Sequence, residues 1–232
     1  MYTASTARAM VRFVESRFRR GERYGLGLTV AFVSMLLLMW LFLEMVDEVL
    51  GVSGVYSLDL AVQEMIEPIV SPHLTGWVVF ITDLGGTMGT SAFVVALTTL
   101  LIWRRRWWYA FGLLFASGIG GLVLFGLKVI FQRARPVEPL IAVGGYSFPS
   151  GHAFAATVFF GFAAHLAWKM VHLQWLRWLL VIVSIMMGLA ISFSRVYLNV
   201  HFLTDVVAGI TAGLAWLIFS LLVVYFAEGV KV

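Results

Sequence analysis

Hydrophobic positions in this chain fall in long unbroken runs, near 25–43, 87–103, 107–127, 153–170, 176–193 and 206–226. Each run approaches the ~20 residues that carry a helix across ~30 Å of hydrocarbon. Helices are the expected form, because unpaired backbone groups are untenable in lipid. A further apolar stretch, Val78 to Thr82, is too short to span. It is expected to dip into the interface before a turn at Asp83-Leu84-Gly85-Gly86. The pattern predicts an all-α, polytopic bundle of six transmembrane helices over 25–232, preceded by a basic segment over 1–24.

Composition agrees with this class. Of 232 residues, 61% are hydrophobic and 12% charged, with a mean hydropathy of +0.95. A soluble domain is nearer half apolar and a quarter charged. The length suits one domain of six spans with short loops and leaves no room for a second. With no cysteine, disulfides, thiolate metal sites and a cysteine nucleophile are excluded.

The net charge of +4 is no sign of a nucleic-acid partner, because most basic residues stand at the ends of apolar runs. In the 1–24 segment Met10, Val11, Val14 and Phe18 fall on one helical face, opposite several of the arginines Arg8, Arg12, Arg17, Arg19, Arg20 and Arg23. That suits an amphipathic helix in the headgroup region of an anionic leaflet. The plainer alternative is a tail whose arginines only orient the first span. A signal peptide fits less well, since the n-region is long and the next run is of full span length. Trp103, Trp107, Trp108, Trp168, Trp175 and Trp178 mark span ends as an aromatic belt.

The tail, Arg104 to Arg106, Lys169 with Arg177, and Lys231 fall in alternate loops, whereas the 44–75 loop is acidic and has no lysine or arginine. Both termini are therefore expected on the cytoplasmic side of the inner membrane. Lys128, Arg133, Arg135 and Arg195 then lie on the outer side, against the charge bias. Five glycines between Gly112 and Gly126, and Gly209 with Gly213, could serve a dimer face, but close packing within the bundle is their commoner use.

Three polar clusters fall in the outer loops after the third and fifth runs: Lys128 to Pro136, Pro149-Ser150-Gly151-His152, and Ser194-Arg195 with His201 and Asp205. Ionisable groups at membrane depth are costly and point to function. Lys128, Arg135 and Arg195 make a site for a polyanion, since guanidinium forks match phosphate oxygens in pairs. Ser150 and Gly151 precede a span, so their N–H groups are expected to face an anion at a helix N-terminus. The same three cations oppose a divalent metal.

His201 and Asp205 stand at i, i+4, which on a helix puts the carboxylate one turn from the imidazole. A carboxylate accepting one ring N–H leaves the other nitrogen free to attack phosphorus. His152 is then the acid for the leaving group and the base for water. This scheme needs His201 neutral and His152 charged in the reactive form. Asp205 opposes the neutral state of His201 and the cations favour it, a balance the sequence leaves open. Each cluster alone has an ordinary structural reading; their order and shared side of the membrane carry the case. Arg133 is left between the anion field and a helix cap. His73, His165 and His172 are assigned to packing or interface roles.

In these motifs the chain resembles the type 2 phosphatidic acid phosphatase family, also called lipid phosphate phosphatases. Its signatures K-x6-R-P, P-S-G-H and S-R-x5-H-x3-D stand here as Lys128…Arg135-Pro136, Pro149 to His152, and Ser194-Arg195…His201…Asp205. The resemblance implies a helical bundle with its site at the outer face, metal independence without a cofactor, and a phosphohistidine on His201. It also implies that Lys128, Arg135, Ser150, Gly151, His152 and Arg195 surround a lipid phosphate. The family's substrates include phosphatidylglycerol phosphate and undecaprenyl pyrophosphate, and the signatures do not choose between them. A transporter for an anionic lipid or phosphate is the competing reading. It explains the cations but not two histidines and a carboxylate at this spacing.

Overall fold

The computed structural model describes residues 25–51 and 55–229, and the expected amphipathic segment at 1–24 lies outside them. Among the described residues the order is α1 (Leu26–Leu50), α2 (Val55–Ile66), a short 3-10 turn (Glu67–Ile69), α3 (Pro72–Leu84) and α4 (Thr87–Trp103). There follow α5 (Trp107–Phe131), α6 (Gly151–Met170), α7 (Gln174–Tyr197) and α8 (Leu203–Gly229). The architecture is all-α and membrane-spanning, as the hydrophobic runs predict.

Five helices, α1 and α5 to α8, are each long and apolar enough to cross a bilayer. The sixth crossing differs from expectation. The 87–103 run forms a 17-residue helix, which qualifies as a span only together with α3, at a bend of 48°. Val78 to Thr82 thus lies inside a helix, α3, which bends into α4 at the expected Gly85-Gly86 turn. Ser71 opens α3, its hydroxyl accepting the Leu74 amide at 3.4 Å, and Pro72 follows in the first turn. The break at Gly85-Gly86 is pressed against α7: a Cβ on Gly85 would stand 2.2 Å from Ile191 Cγ2.

The acidic 44–75 stretch is likewise mostly helical. Val62 and Ile66 of α2 join one apolar cluster with Val196 and Tyr197 at the end of α7 and Val200 just beyond it, and Asp59 of α2 is fully buried.

Helix α6 packs against α5, α7 and α8. A Cβ on Gly209 would lie 2.6 Å from the Ser150 carbonyl oxygen, and one on Gly213 would lie 3.0 Å from Thr157 Cβ. These glycines therefore let α8 approach α6 in the same chain, by the small-residue packing common in membranes. Phe148, fully buried, stacks on Phe42 at 6.0 Å and meets Phe131 edge-on at 5.2 Å, which pins the chain just before α6.

The ends of α5 and α7 and the starts of α6 and α8 meet at one pole of the bundle. Arg104 to Arg106, Lys169 and Arg177 gather at the other. There Tyr109 donates to Glu228 at 3.2 Å and Arg177 lies 5.4 Å over Trp168. His165, beside Tyr109, belongs to that pole too.

Gly209→Ala should destabilise the protein by about 1–3 kcal/mol through overpacking, although alanine is the better helix former. Gly118→Ala, with nothing within 4 Å of the added methyl, should cost nothing. Thermal unfolding in detergent compares them.

Candidate active site

At the end of α5 the chain turns on Gln132, at φ 46°, whose amide bonds to Lys128 O. The following loop folds back so that the Ser147 amide reaches Arg133 O at 2.8 Å. Lys128 Nζ donates to Tyr146 O at 2.7 Å. Its Cε would lie 3.7 Å from a Cβ on Gly151, so the glycine keeps the start of α6 open beside the lysine.

Ser150 caps α6, but its amide is spent on Asp205 O at 2.9 Å. The expectation that this N–H faces an anion is therefore corrected, because the α6–α8 junction uses it. The first-turn amides that follow have no intrahelical partner. The Ser150 hydroxyl is buried and has no hydrogen-bond partner among the described residues.

His201 and Asp205 do not share a helix. Helix α7 stops at Tyr197, Asn199 takes a left-handed φ of 52°, and His201 lies in the loop before α8. The amides of Val200 and His201 both reach Arg195 O at 3.2 Å. Asp205, third residue of α8, reaches back to the Phe202 amide at 2.9 Å, as the acidic member of a capping box does. His201 Nδ1 is 3.5 Å from Asp205 Oδ2. Between them sits Ser147, whose hydroxyl donates to Asp205 Oδ2 and lies 3.2 Å from Nδ1.

This network assigns the tautomer. The Ser147 proton goes to Asp205, so Ser147 accepts from Nδ1–H and Nε2 keeps its lone pair. Nε2 lies 3.2 Å from Arg135 Nη1. Arg135 is itself held by Gly144 O at 2.9 Å, Gly145 O at 3.0 Å and Val200 O at 2.7 Å. Burial pushes the His201 pKa down to about 4, with Arg135 and Lys128 acting in the same direction and Asp205 opposing. Burial and the cations win the balance, and the imidazole is neutral near pH 7.

Arg195 is 2% exposed. Its Nη1 donates to Thr82 Oγ1 at 2.7 Å, while Nε is buried without a partner among the described residues. His152 lies against the α3–α4 break, its Nε2 3.7 Å from where a Cβ on Gly86 would stand. It is within Coulombic reach of Arg195, His201, Arg135 and Lys128. All eight residues singled out by sequence thus meet at one pole.

Three further residues, Thr82, Ser147 and Asp59, support them and carry no sequence signal beyond polarity in an apolar chain. Arg133 takes no part in the anion field. It donates to Asp205 Oδ1 at 2.5 Å, Asp59 Oδ2 at 2.8 Å and Thr204 Oγ1 at 2.7 Å. Among the described residues no three histidine, aspartate or glutamate side chains group as metal ligands.

The arrangement presents a neutral imidazole nitrogen, a second imidazole and three cations to one small volume, which suits in-line displacement at phosphorus. Comparison with known proteins agrees. Residues 106–228 match the PAP2 superfamily model. Phosphatidylglycerophosphatase B of Bacillus subtilis (strain 168) is 30% identical over 180 residues, covering 76% of this chain and 88% of that protein. The crystal structure of the transmembrane PAP2-type phosphatidylglycerolphosphate phosphatase from Bacillus subtilis superposes with a TM-score of 0.77 at 28% identity, over 85% of this chain and 98% of that one. The structure of LpxE from Aquifex aeolicus shares the fold, with a TM-score of 0.57 at 23% identity over 71% and 94% of the two chains. This chain belongs to the PAP2 superfamily and is a membrane-spanning phosphatase.

Proposed function

We propose that the protein removes the terminal phosphate of a lipid phosphate, phosphatidylglycerol phosphate first among candidates, through a phosphohistidine on His201. The observation that carries this reading is His201 itself. One ring nitrogen is tied through Ser147 to Asp205, and the other is unprotonated, its lone pair accepting from Arg135 Nη1 at 3.2 Å, a donor that a phosphate oxygen would take over.

Lys128, Arg135 and Arg195 hold the equatorial oxygens, aided by the Ser150 hydroxyl and the first-turn amides of α6 from Gly151 on. Satisfying the buried Arg195 Nε and Ser150 Oγ favours an oxygen-rich anion here, since unpaired buried polar groups are costly. Nε2 attacks phosphorus as the P–O bond to the lipid breaks, and His152 gives its proton to the departing oxygen. Water then attacks phosphorus, its proton passes to His152, and the N–P bond breaks to release inorganic phosphate.

The choice of substrate rests on the named activity of the relative that is 30% identical. Undecaprenyl pyrophosphate is the comparison substrate. The pole holding the site is opposite Arg104 to Arg106, Lys169 and Arg177, so the positive-inside rule supports catalysis at the outer face of the inner membrane, with both termini cytoplasmic.

Detergent-purified protein in EDTA should release phosphate from phosphatidylglycerol phosphate, and His201→Ala should lower kcat by at least about 10³-fold. A strict requirement for magnesium, or lipid binding and flux without release, would contradict the proposal.

The pH dependence follows from the lowered His201 pKa. Between its ordinary 6.5 and about 4 the unfolded chain binds a proton that the folded protein refuses, so stability falls as pH drops through that window. Unfolding midpoints in detergent should decline there in the wild type, and less steeply in His201→Gln. The acid limb of kcat/KM should fall near pH 4, and a limb near 6.5 would contradict a buried neutral His201.

A further inference from the structure

We infer that Arg133 and Asp59 form a clamp that fixes the orientation of Asp205, making both of them positioning residues for the His201 nucleophile. The inference rests on the proposed function and deepens it. Asp59 belongs to α2, outside the 106–228 segment that the family model matches.

Asp59 and Asp205 are both fully buried, and the Arg133 side chain between them is only 14% exposed. Buried carboxylates are costly unless paired and hydrogen-bonded. Here one guanidinium serves two of them. Arg133 Nη2 donates to Asp59 Oδ2 at 2.8 Å, and Nη1 donates to Asp205 Oδ1 at 2.5 Å and Thr204 Oγ1 at 2.7 Å. Asp59 completes the unit at the start of α8, accepting the Thr204 amide at 3.0 Å and its hydroxyl at 2.7 Å. The Phe202 ring lies 4.4 Å from the guanidinium carbon and covers it.

The consequence falls on Asp205. Arg133 takes Oδ1, which leaves Oδ2 for Ser147, the Phe202 amide and, at 3.5 Å, His201 Nδ1. A carboxylate held at one oxygen by a forked cation cannot rotate the other away from the imidazole. Asp59 in turn stops Arg133 from swinging toward the anion site. Supporting contacts to metal-bound imidazoles carry roughly 10–100-fold effects, and the same scale is expected for this imidazole. The charged and titratable groups near His201 are Asp205 at the start of α8, Arg133 and Arg135 on the loop after α5, Lys128 of α5, Arg195 of α7 and His152 of α6.

The experiment is a double-mutant cycle on purified enzyme hydrolysing phosphatidylglycerol phosphate in mixed micelles, with Arg133→Gln, Asp59→Asn and both together. Arg133→Gln should lower kcat by roughly 10–100-fold with KM changed less than about twofold. Asp59→Asn should lower kcat by less. The pair should be no worse than Arg133→Gln alone, because residues acting as one unit are not additive. Loss of the cation beside Asp205 should also move the acid limb upward from its wild-type position, and Asp59→Asn in the same chain should move it back.

A purely structural pair would reduce the yield of monodisperse protein while leaving kcat per folded molecule and the limb in place. That result overturns the clamp, as do multiplicative losses or a loss carried by KM. If Arg133→Gln does not fold, Arg133→Lys keeps the charge but cannot fork between two acids, and wild-type kcat in it overturns the clamp equally. A wild type inactive on every lipid phosphate defeats the proposed function and the clamp's role with it. An active wild type with indifferent variants defeats the clamp alone.

Discussion

A carboxylate buried at the meeting point of several helix ends sets the terms for the rest of this site. Asp205 is fully buried, so each of its oxygens requires a donor. The donors come from different parts of the chain: Arg133 and Ser147 from the loop after α5, the Phe202 amide from the start of α8, and His201 from the turn before it. Its backbone carbonyl takes the Ser150 amide and so joins α8 to the start of α6. Through α6 and α8 the same residue fixes both histidine-bearing segments. The glycines at 209 and 213 permit this by letting the two helices come close.

Around that carboxylate the charges separate by task. Arg133 is consumed by acids, whereas Lys128 and Arg135 hold backbone carbonyls and Arg195 holds Thr82. The other three cations have no carboxylate partner among the described residues and keep a positive field at the pole, and that field together with burial keeps His201 neutral. Neutral imidazole beside unneutralised cations suits the capture of a phosphate followed by attack on it. A metal would meet repulsion in the same place.

The spans and the signature residues were legible because each leaves a local pattern: apolar runs of crossing length, and polar residues at fixed spacing where the chain should be apolar. What stayed hidden is tertiary. Ser147 meets Asp205 across 58 residues, Asp59 meets Arg133 across 74, and Thr82 meets Arg195 across 113. No periodicity reports such contacts. Asp59 sat in an acidic stretch that read as a topology signal, yet helix α2 carries it into the interior. The i, i+4 spacing of His201 and Asp205 suggested a shared helix, but the turn at Asn199 delays α8, and Ser147 bridges the gap instead. The short α3 escaped notice as a helix because its apolar core is shorter than a crossing and reaches that length only when taken together with α4.

The claim that His201 is the nucleophile is tested most directly by trapping its phosphorylated form. Enzyme mixed with lipid phosphate labelled at the terminal phosphoryl group is quenched in alkali, where phosphohistidine survives, and digested for mass spectrometry. The account predicts one labelled site, at His201, that gains phosphate within the first turnover and is absent from His201→Ala. Label on another residue, or turnover with no protein-bound phosphate while His201→Ala stays active, would contradict it.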